Sequence, residues 1–140
     1  MNQPGTIRRI IFVSSRNAVR SPMAEALVNS LFPGRYEAVS AGTEPGAPDP
    51  LVKEVLEEAG FETSPRQPLS VGEVSRLPVH FVVTLCDRAA KVCPLFPNAA
   101  VSFHKGFEEP PASPSSTSDR RDAYRRLRDE LRAWVEQTFG

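Results

Sequence analysis

A short apolar run near the start of the chain leads directly into a polar turn and then into a helix. The run, Ile7 to Val13 (IRRIIFV), is the kind of β-rich segment that suits a buried parallel strand. The turn spans Ser14 to Arg20, and Ser21-Pro22 begins the helix, because proline is favoured at the first helical position. Apolar residues then recur at every fourth position. This β–turn–α unit predicts an α/β fold.

The remaining chain continues to alternate between strand and helix patterns. Further strands are predicted at Tyr36–Ala41, His80–Thr84 and Ala99–Phe103, and further helices at Pro50–Ala59, Val71–Arg76 and Asp119–Phe139. Residues 104–118 have no periodicity and are predicted as a long surface loop. The arginine run of the last helix is mixed with acids, which favours a solvated helix face over a phosphate patch. We expect residues 1–140 to form one domain, with a central four-stranded parallel sheet flanked by helices on both faces.

Composition excludes several classes of protein. The 140 residues are 40% apolar and 24% charged, which is ordinary for a globular domain with a packed core. Seventeen basic and 17 acidic side chains cancel, which argues against a general binder of nucleic acid or anionic membrane. The sequence contains neither a membrane-spanning run nor a signal peptide, and its two cysteines are too few for a disulfide scaffold. We therefore expect a cytoplasmic protein. We also expect no cofactor.

The turn after the first strand has the properties of an oxyanion site. A turn that wraps before a helix start directs backbone N–H groups inward, and the helix dipole adds positive potential. Arg20 offers a planar fork that suits two oxygens of phosphate, sulfate or arsenate. The triphosphate pattern GxxxxGK[ST] is absent, so no nucleotide is implied. An ordinary polar turn with an exposed arginine is the alternative. The candidate oxyanion-binding residues are Ser14, Ser15, Arg16, Asn17, Ala18, Val19 and Arg20.

The stretch VSSRNAVRSPMAEAL (Val13–Leu27) resembles the signature of the low-molecular-weight protein tyrosine phosphatases and of their relatives, the thioredoxin-coupled arsenate reductases. In that family the first strand ends in a cysteine, and five residues, an arginine and a serine or threonine follow. The resemblance continues through SAGT (Ser40–Thr43), VVTLC (Val82–Cys86) and a Glu-Pro dipeptide in the long loop. It covers nearly the whole chain and implies the low-molecular-weight phosphatase fold.

The resemblance also implies catalytic roles for particular residues. Arg20 would hold the oxygens of the anion, and the hydroxyl of Ser21 would steady the nucleophile. Glu109 stands where the family has an aspartate that protonates the leaving group, and its extra methylene leaves that role open. Cys86 and Cys93 match the second and third cysteines of the reductase branch, which pass oxidation on as a moving disulfide. A thioredoxin-like protein would then be the reductant.

The cysteine pair favours the reductase branch, because the phosphatase branch has no need of it. Cys86 and Cys93 lie seven positions apart. Seven residues of α-helix rise about 10.5 Å, whereas a disulfide requires Cα atoms within about 7 Å, so a helical segment would have to unwind. The alternative is two buried free thiols. A zinc site that joins these thiols to His80 and His104 is improbable, because no pair has finger-type spacing; His80 reads as a strand-edge residue and His104 as a loop residue.

The chain departs from the family at the nucleophile position, which is Ser14. A thiol with an ordinary pKa of about 8.5 becomes a thiolate beside a helix N-terminus and an arginine, but a serine hydroxyl is far too weakly acidic. No His–Asp pair lies beside Ser14 in the sequence to act as a base. Arsenate reduction also needs electrons from sulfur, which oxygen cannot supply. The chain is thus expected to bind oxyanion without turnover.

Two origins of this serine remain open: a cysteine deliberately replaced to trap a bound state, or a natural relative that lost the chemistry. The leading function is an arsenate-reductase-type enzyme blocked at its first step. The alternatives are a tyrosine phosphatase and a natural non-catalytic oxyanion-binding protein. Arg16 stands where relatives often have glycine, and its side chain is expected to point to solvent rather than to add a second cation to the site.

Overall fold

The computed structural model describes residues 7–17, 19–47, 49–63, 69–91, 96, 99–107 and 117–140. Its strands and helices are, in chain order, β1 Arg8–Ser14, α1 Arg20–Leu31, β2 Tyr36–Gly42, α2 Pro50–Glu58, α3 Val71–Val74, β3 Phe81–Thr84, α4 Asp87–Ala90, β4 Val101–His104 and α5 Thr117–Phe139. The strands form one parallel sheet in the order β2-β1-β3-β4. The predicted four-stranded parallel sheet is therefore confirmed.

Most element boundaries lie within one or two residues of the prediction, but the long loop was predicted too long. β4 continues through His104, because His104 pairs with Thr84 and the N–H of Lys105 donates to the carbonyl of Thr84 (2.9 Å). At the other end, α5 already begins at Thr117. The prediction of His104 as a loop residue was consequently wrong, since it is the last residue of β4.

Helices cover both faces of the sheet, as predicted. Successive side chains of a strand point to opposite faces, so Ile10 and Phe12 of β1 pack with α1, α2 and α5, whereas Ile11 and Val13 pack with α3 and α4. These four side chains have no solvent exposure, which makes β1 the centre of the fold.

The order of the strands determines where a ligand can bind. From β1 the chain passes through α1 to β2 on one side, and later crosses to β3 on the other side of β1. Ligands of open α/β sheets bind outside the carboxyl ends of the strands at such a switch point. The turn after β1 and the segment after β3 meet there.

The arginine run of α5 packs against acidic residues of α2. Asp49 caps α2 by accepting from the N–H of Leu51 (3.0 Å), and the same carboxylate accepts from Arg120 Nη2 (3.1 Å) and from the hydroxyl of Tyr124. These contacts make the run part of an interhelical contact rather than a phosphate patch. Further ion pairs between α2 and α5 are Arg121–Glu54, Arg125–Glu58 and Arg128–Glu58.

Among the helices that the structure describes, none is both long and apolar enough to span a bilayer.

The buried hydroxyl of Tyr124 gives the fold a predicted sensitivity to alkaline pH. Burial, and then the hydrogen bond to Asp49, raise the pKa of Tyr124 to about 12 from an ordinary value of 10. A raised pKa contributes stability that is complete below pH 10 and is lost as the pH rises toward 12. We expect Tyr124→Phe to cost about 1 kcal/mol at neutral pH. The variant should also lose less stability than the parent above pH 10 in urea unfolding. Parallel stability curves for the two proteins would contradict this assignment.

Candidate oxyanion-binding site

The turn after β1 is held from the outside by the segment that follows β2. The carbonyl groups of Ser14, Ser15 and Arg16 all accept hydrogen bonds from this segment, and none of these carbonyls is left to face the interior of the turn. The segment therefore extends β2 alongside the turn. The hydrogen bonds run from Thr43 N to Ser14 O (3.3 Å), from Glu44 N and Thr43 Oγ1 to Ser15 O (2.8 and 3.2 Å), and from Gly46 N to Arg16 O (2.8 Å).

This arrangement fixes the direction of the backbone N–H groups. In a planar trans peptide the N–H points opposite to the carbonyl of the preceding residue. The N–H groups of Ser15, Arg16 and Asn17 therefore share the inner side of the turn, and among the described residues none of them has an acceptor. Asn17 has φ 53°, a left-handed conformation that asparagine tolerates and that lets the chain curl. Three consecutive inward donors form an anion-binding nest.

The close approach of β2 to the turn requires a glycine. A Cβ atom at Gly42 would lie 2.9 Å from the backbone of Arg16 and of Asn17, which leaves no room for a side chain. Four residues later, the guanidinium of Arg16 lies over Gly46, with Nε 3.1 Å from the position of a Cβ there. The side chain of Arg16 is exposed, as expected, and it also covers this second glycine.

Ser14 lies at the base of the turn, 1% exposed, in a chain of hydrogen bonds whose direction can be assigned. The hydroxyl of Ser21 donates to Asn17 Oδ1 (2.7 Å). The hydroxyl of Ser14 therefore donates to Ser21 Oγ (2.7 Å), and Ser14 Oγ accepts from Ser21 N (3.3 Å). Within the described part of the chain, no carboxylate or imidazole contacts Ser14. The hydrogen-bond chain from the Ser14 hydroxyl therefore passes through Ser21 and ends at the amide oxygen of Asn17, which is not a base.

Arg20 and the start of α1 provide the positive charge of the site. Arg20 is the first residue of α1 and is 7% exposed, and its guanidinium donates from Nη1 to the carbonyl of Phe107 (3.1 Å). Val19 precedes the helix and offers no side-chain cap, so the positive end of α1 opens onto the turn. A buried guanidinium beside a helix N-terminus favours an anion.

Cys86 places a thiol at the edge of the turn. It follows β3, is half-buried and free, and its Sγ lies 3.2 Å from Ser15 Oγ. The same sulfur accepts from the N–H of Ala89 in α4 (3.4 Å). The other predicted residues, Ala18, Cys93 and Glu109, lie outside the described residues.

His104 takes part in a separate contact. Its Nδ1 pairs with Thr84 Oγ1 (2.8 Å) and its Nε2 faces Asp87 Oδ1 at 3.3 Å. In the described part of the chain, no group of three or more His, Cys, Asp or Glu side chains is arranged to hold a metal ion.

Sequence reasoning missed three contributors to the site. Thr43 and Gly42 belong to the SAGT motif, and the glycine was a usable signal, because glycine often marks a close approach of two backbones. Phe107 acts through its main-chain carbonyl, so its residue type carried no signal for that role.

Comparison with known proteins decides the family. The model of the low molecular weight phosphotyrosine protein phosphatase family matches residues 9–138. The chain belongs to this family. A curated relative, the arsenate reductase of Halalkalibacterium halodurans, is 30% identical over 122 residues, which cover 87% of this chain and 88% of the relative.

Two solved structures of family relatives agree with this assignment. The arsenate reductase of Archaeoglobus fulgidus superposes with a TM-score of 0.72 at 29% identity, over 91% of this chain and 96% of that one. An arginine phosphatase of Geobacillus stearothermophilus superposes with a TM-score of 0.74 at 28% identity, over 93% of this chain and 89% of that one. The predicted family and its fold are confirmed, and both branches are represented among the relatives.

Proposed function

We propose that this chain is an oxyanion-binding protein of the arsenate reductase type, blocked at the first chemical step by Ser14. The observation that carries the proposal is the buried Ser14 beneath three inward N–H groups and beside Arg20. A tetrahedral oxyanion in the turn would accept from these N–H groups, and the guanidinium fork of Arg20 would hold two of its oxygens.

Oxygen at position 14 stops the reaction for two reasons. The Ser14 hydroxyl donates to Ser21 and has no base among the described residues to remove its proton, so it is a poor nucleophile. Arsenate reduction also needs two thiols: one forms a sulfur–arsenic bond, and the second attacks that sulfur. The resulting disulfide leaves the bonding electron pair on arsenic, which is reduced from As(V) to As(III). A Ser14 ester gives Cys86 no sulfur to attack.

The position of Cys86 favours the reductase type over a phosphatase. Its Sγ lies 3.2 Å from Ser15 Oγ, so the thiol is in contact with the turn. A reductase needs a second thiol at this place, whereas hydrolysis of a phosphate ester does not. With Cys93 as the next thiol of the relay, a thioredoxin-like protein would be the reductant. Arsenate reductases at 29–30% identity support the same choice.

A phosphatase is the second candidate. The arginine phosphatase of Geobacillus stearothermophilus matches this chain at 28% identity, and hydrolysis of a phosphoryl group would use the same turn and the same arginine. In that case Cys86 would be a bystander, and Glu109 would protonate the leaving group.

Calorimetry on the unmodified protein tests the binding step. Phosphate, sulfate and arsenate should each bind with one site per chain, and each should displace the others. Nitrate at equal ionic strength is the matched control, because a planar monoanion does not match a nest built for a tetrahedral ligand. No saturable heat with any of the three tetrahedral anions would overturn the proposal.

A further inference from the structure

The carbonyl of Phe107 joins Arg20 to the segment that follows β4. Arg20 Nη1 donates to this carbonyl at 3.1 Å, and the N–H of Phe107 donates to the carbonyl of Leu85 at the end of β3 (2.9 Å). Two residues earlier, the N–H of Lys105 donates to Thr84 (2.9 Å). The main chain of residues 105–107 is thus fixed to the end of β3, and the carbonyl of Phe107 accepts from the guanidinium of Arg20.

The ring of Phe107 is fixed by α5. It packs edge to face on Trp134, with ring centroids 6.4 Å apart and an interplanar angle of 76°, and Lys105 Nζ lies 5.8 Å from its centroid. Trp134 packs in turn on Phe139 (5.9 Å). Edge-to-face pairs restrain orientation as well as burying apolar area.

From these contacts we propose that Phe107 and Trp134 are positioning residues for Arg20, so that α5 helps to set the oxyanion affinity; this inference rests on the proposed function. The guanidinium is planar, and its hydrogen bond to the Phe107 carbonyl restrains the rotation of that plane relative to the turn. When the ring of Phe107 no longer packs on Trp134, the carbonyl of Phe107 shifts, and the guanidinium of Arg20 is no longer aligned with the turn. Anion binding then weakens, although no residue that contacts the anion has changed.

Phosphate titration of ring variants by calorimetry tests this inference. We expect Phe107→Ala and Trp134→Leu each to weaken phosphate binding by about tenfold, because small misplacements of a binding group are costly. Phe107→Tyr retains the ring and should stay within about twofold of the parent. Trp134 is the single tryptophan of the chain, so its fluorescence should respond to phosphate in the parent.

Phe32→Leu is the matched control. Phe32 is half-buried like Phe107, and its replacement removes an edge-to-face contact with Tyr36, whose ring centroid lies 6.0 Å away. It lies at the far end of α1, about 18 Å of helix away from Arg20. Any loss of thermal stability should appear in both kinds of variant, whereas the loss of affinity should appear only at Phe107 and Trp134.

Each outcome decides a separate point. If the parent binds phosphate and folded Phe107→Ala and Trp134→Leu bind it equally well, the positioning inference is overturned alone. If Phe107→Ala does not fold, Trp134→Leu and Phe107→Tyr still give the comparison. If the parent itself shows no binding, the proposed function fails, and the inference fails with it.

Discussion

Replacing Ser14 by cysteine is expected to give the chain an arsenate reductase activity that the unmodified protein lacks. Ser21 N donates to the side-chain atom at this position (3.3 Å), and Ser21 Oγ lies 2.7 Å from it. A thiolate has no proton to donate to Ser21, so the Ser21 hydroxyl would turn from Asn17 Oδ1 and donate to the sulfur. The start of α1 and Arg20 add positive potential, which lowers the pKa of a thiol. Arsenite formed with thioredoxin as reductant should exceed the unmodified protein's by about a thousandfold or more.

A second substitution identifies which branch the activity belongs to. In the Ser14→Cys protein, Cys86→Ser should abolish arsenate reduction, because the sulfur–arsenic adduct then has no second thiol to resolve it. The same double variant should still hydrolyse any aryl phosphate that Ser14→Cys hydrolyses. If Ser14→Cys hydrolyses aryl phosphate and ignores arsenate, the phosphatase is the correct function. If it turns over neither substrate, both proposals are wrong.

Removing the guanidinium of Arg20 is expected to weaken phosphate binding by about a hundredfold, which corresponds to roughly 3 kcal/mol. The reason is the loss of a cationic side chain from a buried residue, whose planar fork would hold two oxygens of the anion. Arg20→Met approximates the length of the side chain without its charge. Arg20→Lys should recover only part of the affinity, because an ammonium is a point charge and cannot bond two oxygens in the fork geometry.

The control for Arg20 is another arginine of the same chain. Arg126 lies exposed on α5, so Arg126→Met removes the same charge from the protein without altering the turn. Its phosphate affinity should equal that of the parent at physiological ionic strength. Equal affinities for Arg20→Met and Arg126→Met would show that the anion binds through net charge or backbone alone, and would contradict the proposed site.

Local patterns were sufficient to predict the fold. β1 is a short apolar run, and Pro50 after Asp49 marks the start of α2, so periodicity and capping residues gave the element order apart from the four-residue helix α4, which was not predicted. The ends of elements were less predictable. His104 joined β4 because it pairs with Thr84 on a neighbouring strand, and no local pattern encodes that contact.

The site was predictable where side chains act and unpredictable where the main chain acts. Arg20 could be placed from its position at the end of the turn, and the resemblance to the phosphatase family implied the positions of Ser14 and Ser21. The contributions of Thr43 and Phe107 depend on which way a peptide group points in the folded chain, and many residue types would serve. The prediction of His104 as a loop residue and the missed carbonyl of Phe107 have the same cause, because both involve contacts between residues far apart in the sequence.

The hydrogen bonds that hold Ser14, Ser15 and Arg16 from outside also bear on how tightly and how long a ligand stays. Because folding itself sets these peptide groups in place, an arriving anion meets a preorganised cradle and loses little conformational entropy on association. Sequence changes in the segment after β2 would loosen that cradle without touching the ligand. Their effect would fall on residence time, since changes within one binding site alter dissociation rates more than association rates.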